Sequence, residues 1–486
     1  MLKNKREKII FYLCAAFLFL LIAMLTKSEV TMAGNEASRL GTVQALAEQN
    51  TFVTNNTAFR VVNNDTFNID GRIYSDKPLP MMVAHGMMYK LIAGVSGISF
   101  NTHYYLSIFL TNLLGVGLLN IILFILFFNR LDRDVEAPFV SKIFLGVSLL
   151  ASTLLLSYGV SMNNHTPAAL LLWMLCMQLM DYPGKGTMAA AFLAGLTAGC
   201  LFDLEMAIGG LFGIAAFAIM ALASTERKFA RTAVYSIGGL LPIMAMGGIN
   251  YIAFGRITPQ YLGTGGTYSP GVVWQNNIGY FADILFGGRG FFSYMPAMLF
   301  IIPVLLINRK IFKNCAESII LMAVAAVILF YGIFTSEYGG WAYGFRYLIP
   351  VIPVIWFFIA REYAPKIHSW QYGVLVILIL WGVVTSYAGT YNPWCNCYER
   401  ENTHPLTVEY NIRNTFAANL LCMSFEHDPE SAFSRFMIFN VYGQRLAVAY
   451  LNQAFVNTRK IDELIHLREY CRKYPALGDG GKRKEK

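Results

Sequence analysis

Charge is what this sequence has least of. Acidic and basic residues together fill 14% of its 486 positions, where a soluble domain carries about 25%. That excludes a protein solvated over its whole surface. Inverted internal repeats, the mark of many transporters, are also lacking. What the chain has instead is hydrocarbon: 56% of it is hydrophobic, in runs of membrane-spanning length that recur from residue 9 to about residue 390. The net charge of +9 does not point to nucleic acid. Much of it lies in short connections between apolar runs, where Lys and Arg set membrane orientation.

The reading is an all-α membrane protein with about eleven transmembrane helices, at approximately 9–26, 103–128, 139–161, 167–181, 187–202, 206–224, 232–254, 293–307, 316–335, 347–360 and 371–390. The first run is longer than a usual signal-peptide core, so it is read as a retained anchor. Connections expected inside, "NRLDRD", "YPGKG", "TERKFAR", "NRKIFK" and "REYAPKIH", each hold Lys or Arg, and the short outside turns near 162–166 and 203–205 hold none. This places the N-terminus in the cytoplasm and the C-terminus outside it, with the protein integral to the cytoplasmic membrane. Three outside segments are large: 27–102, 255–292 and the tail 391–486. Long loops in a compact protein usually carry function. Residues 1–390 then form the transmembrane domain. Residues 391–486 form a small extracytoplasmic region, α-rich or mixed, in which "SAFSRFMIFNVYGQRLAVAYLNQAF" suits amphipathic helices and "GDGGKRKEK" a disordered end.

Four of the eight cysteines, Cys14, Cys176, Cys200 and Cys315, lie in or beside apolar runs, where cysteine behaves as a small hydrophobe. Cys395, Cys397, Cys422 and Cys471 lie in the polar tail, where an extracytoplasmic setting permits one or two disulfides between the first two and the last two, with a metal site as the alternative. Asn-x-Thr sequons stand at Asn55, Asn64 and Asn164.

The rare charges gather at a few places. "GNEASRLG" puts Glu36 and Arg39 three residues apart on one helix, with Asn35 placed to cap it. "DGRIYSDKPLP" crowds Asp70, Arg72, Asp76 and Lys77 before two prolines, which stiffen the backbone at the mouth of the next apolar run. Asp203 and Glu205 sit where one apolar run ends and the next begins, and His165 occupies a turn on the same side. "FGGRGFFSYMP" and "EYGGWAYGFRYLIP" each set one arginine, Arg289 or Arg346, among glycines and aromatics such as Tyr343. Arginine offers a bidentate fork for phosphate, and lysine a point charge. Alone, each motif has an ordinary structural explanation: a helix-capping acid, a lysine reaching for lipid headgroups, a belt of interfacial aromatics.

Taken in order, these segments resemble the GT-C glycosyltransferases, in particular the branch containing protein O-mannosyltransferases and the aminoarabinose transferases of lipid A. The resemblance covers roughly residues 1–390 and rests on short motifs: acid-x-x-Arg after the first span, Tyr-x-acid-Lys-Pro, and the late "GGRGFFSYMP" and "YGGWAYGFRYLIP". It implies a large first extracytoplasmic loop, 27–102, with juxtamembrane helices. It also implies a sugar donor on polyprenyl phosphate, a hydroxyl-bearing acceptor (lipid, glycan or protein), transfer outside the cytoplasm with inversion, and contact with membrane lipids. Glu36 matches the acid of the first loop, where aspartate is usual, and it is taken as the base with Asp76 second. Lys77 matches the lysine that meets the lipid phosphate; Arg39, Arg346 and Arg289 join it as cations that stabilise the leaving phosphate. Tyr74, His165, Asp203, Glu205 and Tyr343 are expected to line the substrate site. Some members use a divalent metal; the sequence has no strong ligand cluster, and no metal ligand or other cofactor is assigned.

Two other readings remain. A transporter or flippase of lipid-linked glycans would bury charges near mid-membrane, whereas these spans are almost uncharged. A catalytically inactive scaffold of the same architecture is kept in view by Glu36 standing where aspartate is usual.

Overall fold

The computed structural model describes residues 5–30, 34–62, 65–223, 227–259, 278–335, 339–340, 342–394, 414–442, 447–448, 450–452, 454–455 and 461–474. Helices dominate. Six are long and apolar enough to cross a membrane: α1 (Lys5–Leu25), α4 (Tyr104–Asp134), α10 (Lys228–Phe254), α13 (Cys315–Phe334), α14 (Arg346–Lys366) and α15 (Trp370–Tyr391). A seventh crossing results if α11 (Gly279–Tyr294) and α12 (Pro296–Ile307), bent by 100°, count as one. Shorter apolar helices fill the bundle: α5 (Phe139–Ala151), α8 (Met188–Leu204) and α9 (Met206–Ala223). Helix α7 (His165–Lys185) runs among them. The chain therefore has the helices of a multi-pass membrane protein.

Every apolar run expected from the sequence falls on a helix, but several are shorter than a span. The run at 139–161 divides because Thr153 leaves the helical region and its side chain accepts from Leu155 N at 3.3 Å, starting a separate short helix, α6 (Leu154–Tyr158). A polar hydroxyl that satisfies a helix start competes with continuation of the helix before it.

Burial sorts the bundle into centre and rim. Helix α14 is at the centre, with 89% of its apolar window covered, whereas α10 has 17% covered. Exposed Met244, Tyr251 and Ile252 on α10, with Phe17 and Met24 on α1, give these helices an apolar outer face suited to lipid. Helices α8 and α10 approach most closely. A Cβ at Gly195 would meet Tyr235 O at 2.0 Å, and one at Gly199 would meet Gly239 O at 2.3 Å. Small residues four apart let two backbones meet where hydrophobic burial gives little drive.

The segment after α1 folds on the end of the bundle. Helix α2 (Asn35–Gln49) packs on α3 (Leu79–Ser96), with Leu40, Val43, Phe59, Tyr89 and Phe100 in one apolar cluster. Between them stands an antiparallel hairpin, β1 (Thr66–Ile69) and β2 (Arg72–Ser75), with Ile69 opposite Arg72. Its turn is Asp70-Gly71, both at positive φ (50° and 78°), the backbone that a two-residue hairpin demands and that Asp-Gly tolerates. The charge crowd of this stretch had concealed the hairpin in the sequence.

The tail begins at the end of α15 and builds a cluster of its own. Helix α16 (Thr415–His427) and α17 (Ile461–Lys473) enclose Leu421, Cys422, Phe425, Ile438, Leu451 and Tyr470. Helix α16 is tied to the bundle: Asn419 Nδ2 donates to Ala388 O at 2.9 Å and to Asn392 O at 3.2 Å. Of the expected amphipathic stretch, Ala432–Phe436 and Met437–Tyr442 are helical. Cys395, Cys397, Asn64, residues 260–277 of the 255–292 loop and the basic end fall outside the described residues, and with them the expected disulfide pairing.

Candidate functional site

A half-open cavity lies where the first loop meets the bundle, about 630 Å³ when the open solvent at its mouth is included. Four parts of the chain supply its wall: Asn35 and Arg39 from α2, Asp76, Lys77 and Pro78 from the β2–α3 link, Asn164, His165, Leu204, Glu205 and Met206 from the ends of α7, α8 and α9, and Arg346 and Tyr347 from the start of α14.

Local folding explains how each group arrives. The hairpin register sets Asp76 and Lys77 directly after β2. Ser75 Oγ lies 2.6 Å from Ser38 Oγ, and Ser38 Oγ donates to Asp65 O at 2.8 Å, so α2 and the hairpin base are stitched together. Lys77 Nζ rests 2.8 Å from Asp65 Oδ2 and 3.0 Å from Asp76 Oδ1. Pro78 and Pro80 start α3 behind it.

Arg39 is 3% exposed and is held by amides, not by acids. It donates from Nη1 to Asn35 O at 2.8 Å and Asn35 Oδ1 at 3.1 Å, and from Nη2 to Asn164 Oδ1 at 2.6 Å. The sequence reading had Asn35 capping α2. In the structure the N-cap is Gly34, which has no side chain to cap with, and the Asn35 side-chain oxygen accepts from Arg39 instead. Asn164 in turn donates to Glu205 Oε1 at 2.7 Å, and His165 Nδ1 lies 2.5 Å from the same oxygen. Asn164 is buried and committed to this chain of bonds, so its sequon is a piece of the site.

Arg346 completes the group. Its guanidinium carbon sits 5.0 Å from the centre of the Trp394 ring, and that of Arg39 sits 5.9 Å from the same residue's ring. Two arginines thus share one buried indole, an arrangement the quadrupole of the ring favours. Among the described residues, no carboxylate pairs with either guanidinium. Burial, and then the positive charge of Arg346, lower the Arg39 guanidinium to about 10. Burial also holds the Asp76 carboxyl above the usual carboxylate range, against the pull of Lys77, while Asp65 adds to the rise.

The structure brings together Arg39, Asp76, Lys77, His165, Glu205 and Arg346 of the expected site. The others stand elsewhere. Glu36 is fully buried and takes a hydrogen bond from Asn112 Nδ2 on α4 at 3.2 Å; it does not line the cavity. Arg289 donates to Gly340 O at 2.7 Å and so braces the loop behind Arg346, where Gly339 and Gly340 both have positive φ. Tyr343 bonds Thr385 O at 2.6 Å, Tyr74 packs on Phe67 and Phe254, and Asp203 is buried outside the cavity wall. Asn35, Asn164, Tyr347 and Trp394 were missed. No group of three or more His, Cys, Asp or Glu side chains among the described residues could hold a metal ion. Comparison with family models, with curated proteins and with solved structures finds no match to this chain.

Proposed function

We propose that the protein is a glycosyltransferase of the GT-C type that moves a sugar from a polyprenyl-phosphate donor to a hydroxyl acceptor, with inversion, at the extracytoplasmic face of the cytoplasmic membrane. In this reading the chain crosses about eleven times, the short helices included. Residues 27–102 and the tail from 391 lie outside, with the N-terminus in the cytoplasm.

One observation supports it above the rest. Arg39 and Arg346 lie against one cavity with no carboxylate partner among the described residues, and Lys77 joins them there. A buried cation without a counter-ion is costly. The cost is offset when the counter-ion is a ligand, and a lipid-borne phosphodiester supplies one negative charge shared by two oxygens at the membrane surface. As the bond from the sugar to phosphate breaks, charge grows on that phosphate, and three preplaced cations lower the barrier. Asp65 and Asp76 hold the Lys77 ammonium at the wall. The acceptor hydroxyl must also lose a proton to a base. Of the two carboxylates that the resemblance places near that step, Asp76 reaches the cavity and Glu36 braces α2 against α4.

The test incubates purified protein with a panel of polyprenyl-phosphate sugars and measures release of polyprenyl phosphate. Lys77→Met and Arg346→Met are each expected to lower release about 10²- to 10³-fold, the range seen on removing one stabilising donor from a developing anion. Full activity in either variant would sink the phosphate assignment.

A further inference from the structure

The geometry points to His165, oriented by Glu205, as the group that takes the acceptor's proton, leaving Asp76 as the ion partner of Lys77. This rests on the glycosyl-transfer reading and names its base.

The two buried histidines of the outer end differ. His85 has both ring nitrogens at backbone carbonyls, Nδ1 at 2.7 Å from Met81 O and Nε2 at 2.9 Å from Gly115 O. It is a satisfied core residue. His165 is 2% exposed and lines the cavity. Its Nδ1 lies 2.5 Å from Glu205 Oε1, and its Nε2 is buried with no hydrogen-bond partner among the described residues. A buried ring nitrogen left unpaired costs free energy, and a substrate hydroxyl is the partner that would recover it. A carboxylate oxygen this close to Nδ1 favours the proton on that nitrogen, so Nε2 keeps its lone pair. That is the logic of a carboxylate–imidazole pair: the acid orients the ring and steadies the imidazolium that forms.

Asp76 is placed less well for the same task. Its Oδ2 accepts from Lys77 Nζ at 3.1 Å and its Oδ1 lies 3.0 Å from the same ammonium, whose positive charge opposes the uptake of a further proton. The hydrogen-bond chain from Arg39 through Asn164 to Glu205 also links the phosphate end of the cavity to the base end.

The step balances without another reactant. The acceptor O–H bond breaks and its proton passes to His165 Nε2. The oxygen lone pair forms the new bond to the anomeric carbon. The electron pair of the old C–O bond leaves with polyprenyl phosphate, whose charge Lys77, Arg39 and Arg346 meet. The groups facing His165 are Glu205, Arg39, Arg346, Tyr158 and Tyr347, so a pH profile reads the set and not the ring alone.

His165→Ala, His165→Gln and Glu205→Gln, in the full-length protein, test this. Transfer to acceptor is expected to fall about 10²- to 10⁴-fold in His165→Ala, the usual contribution of a general base, with polyprenyl-phosphate binding unchanged within threefold. Added imidazole should restore part of the rate to His165→Ala and none to His165→Gln. Glu205→Gln should lose less in rate and move the limb of the pH profile. His165→Ala at wild-type rate, or losing donor binding in step with rate, overturns the assignment. If His165→Ala does not fold, an unchanged rate and profile in Glu205→Gln overturns it. A wild-type protein that releases nothing from any donor of the panel defeats the glycosyl-transfer reading itself, which is a different result.

Discussion

Helices α7 and α14 carry charge at both ends, and the two ends handle it differently. At their C-terminal ends the cations are matched with acids. Arg130 of α4 pairs with Asp134 and, at 2.9 Å, with Asp181 of α7, which also takes Arg133. Arg361 of α14 meets Glu317 at 2.8 Å through two nitrogens, and Lys142 meets Asp132 at 2.5 Å. At their N-terminal ends stand His165, with an open ring nitrogen, and Arg346, with an indole for company and no carboxylate among the described residues. Charges that hold a structure together come in neutral sets, because each unpaired one is a cost. At the cavity Asp76 and Glu205 stand beside Arg39, Lys77 and Arg346, yet neither arginine has a carboxylate contact among the described residues, and in the proposed reading an anionic ligand takes that place.

The comparison breaks most sharply on stability against binding. Arg130 is 8% exposed, with carboxylates on two sides. Arg130→Met takes one of two cations from Asp134 and Asp181, which keep Arg133, and is expected to cost about 1.5–3 kcal/mol, the range for hydrogen bonds to charged groups, seen as a drop in the melting temperature of the detergent-solubilised protein. Its affinity for polyprenyl phosphate, per folded molecule, should not change. Arg346→Met should do the reverse, weakening polyprenyl-phosphate binding with little loss of thermal stability, since it removes a cation that lacks an acid. A large loss of stability in Arg346→Met would mean that its charge is structural after all.

A smaller effect tests what stands in for the missing acid. Trp394 is 1% exposed and faces both guanidinium groups. A desolvated cation–π contact contributes about 1–2 kcal/mol, so Trp394→Leu is expected to weaken polyprenyl-phosphate binding about tenfold, by letting both arginines move. Trp394→Phe should retain most of it, because the ring face remains. Equal losses in the two variants would make Trp394 a packing residue only. Titration of binding by the intrinsic fluorescence of the remaining tryptophans, or by calorimetry, reads the difference.

These residues also show how far the sequence could be read. The helical runs were legible because hydrocarbon at spanning length has few other uses. Lys77, Arg39 and Arg346 were legible singly, as charges placed where charge is expensive. Their meeting was not, since it depends on the register of a hairpin and the packing of separate helices. Glu36 shows the harder limit. One residue along a helix is a turn of about 100°, so Asn35 reaches the cavity while Glu36 turns to α4. An amphipathic stripe would have given that phase, but every residue of α2 from Asn35 to Ala45 is buried, and the pattern is mute. Asp203 and Glu205 part for a related reason: the first belongs to α8, and the second follows its end and turns inward. The hairpin had a signal in Asp70-Gly71, flanked by "TFNI" and "RIYS". Trp394 had only its place at the end of the last apolar run, beside cysteines that drew attention to sulfur chemistry.

The smallest effect sets the two ends against each other in sign. Burial holds the Asp76 carboxyl above the ordinary range, so the folded protein keeps that proton to higher pH than the unfolded chain does. Between the ordinary carboxylate value and the raised one, the folded state binds more protons, and stability falls as pH rises through that window. Asp76→Asn removes the dependence. The variant should therefore melt above wild type at pH 7, with the gap closing as pH approaches 4. The shift should be about a degree or two, since the Asp76 side chain is 35% exposed and solvent screens it. Asp181→Asn, at the other end, takes a partner from both Arg130 and Arg133 and should melt below wild type at pH 7. If Asp76→Asn also melts lower, and by more at pH 7 than at pH 4, then its pairing with Lys77 outweighs its burial. Lys77 would then belong with the matched charges of the far end, and Arg39 and Arg346 alone would be left to meet a phosphate.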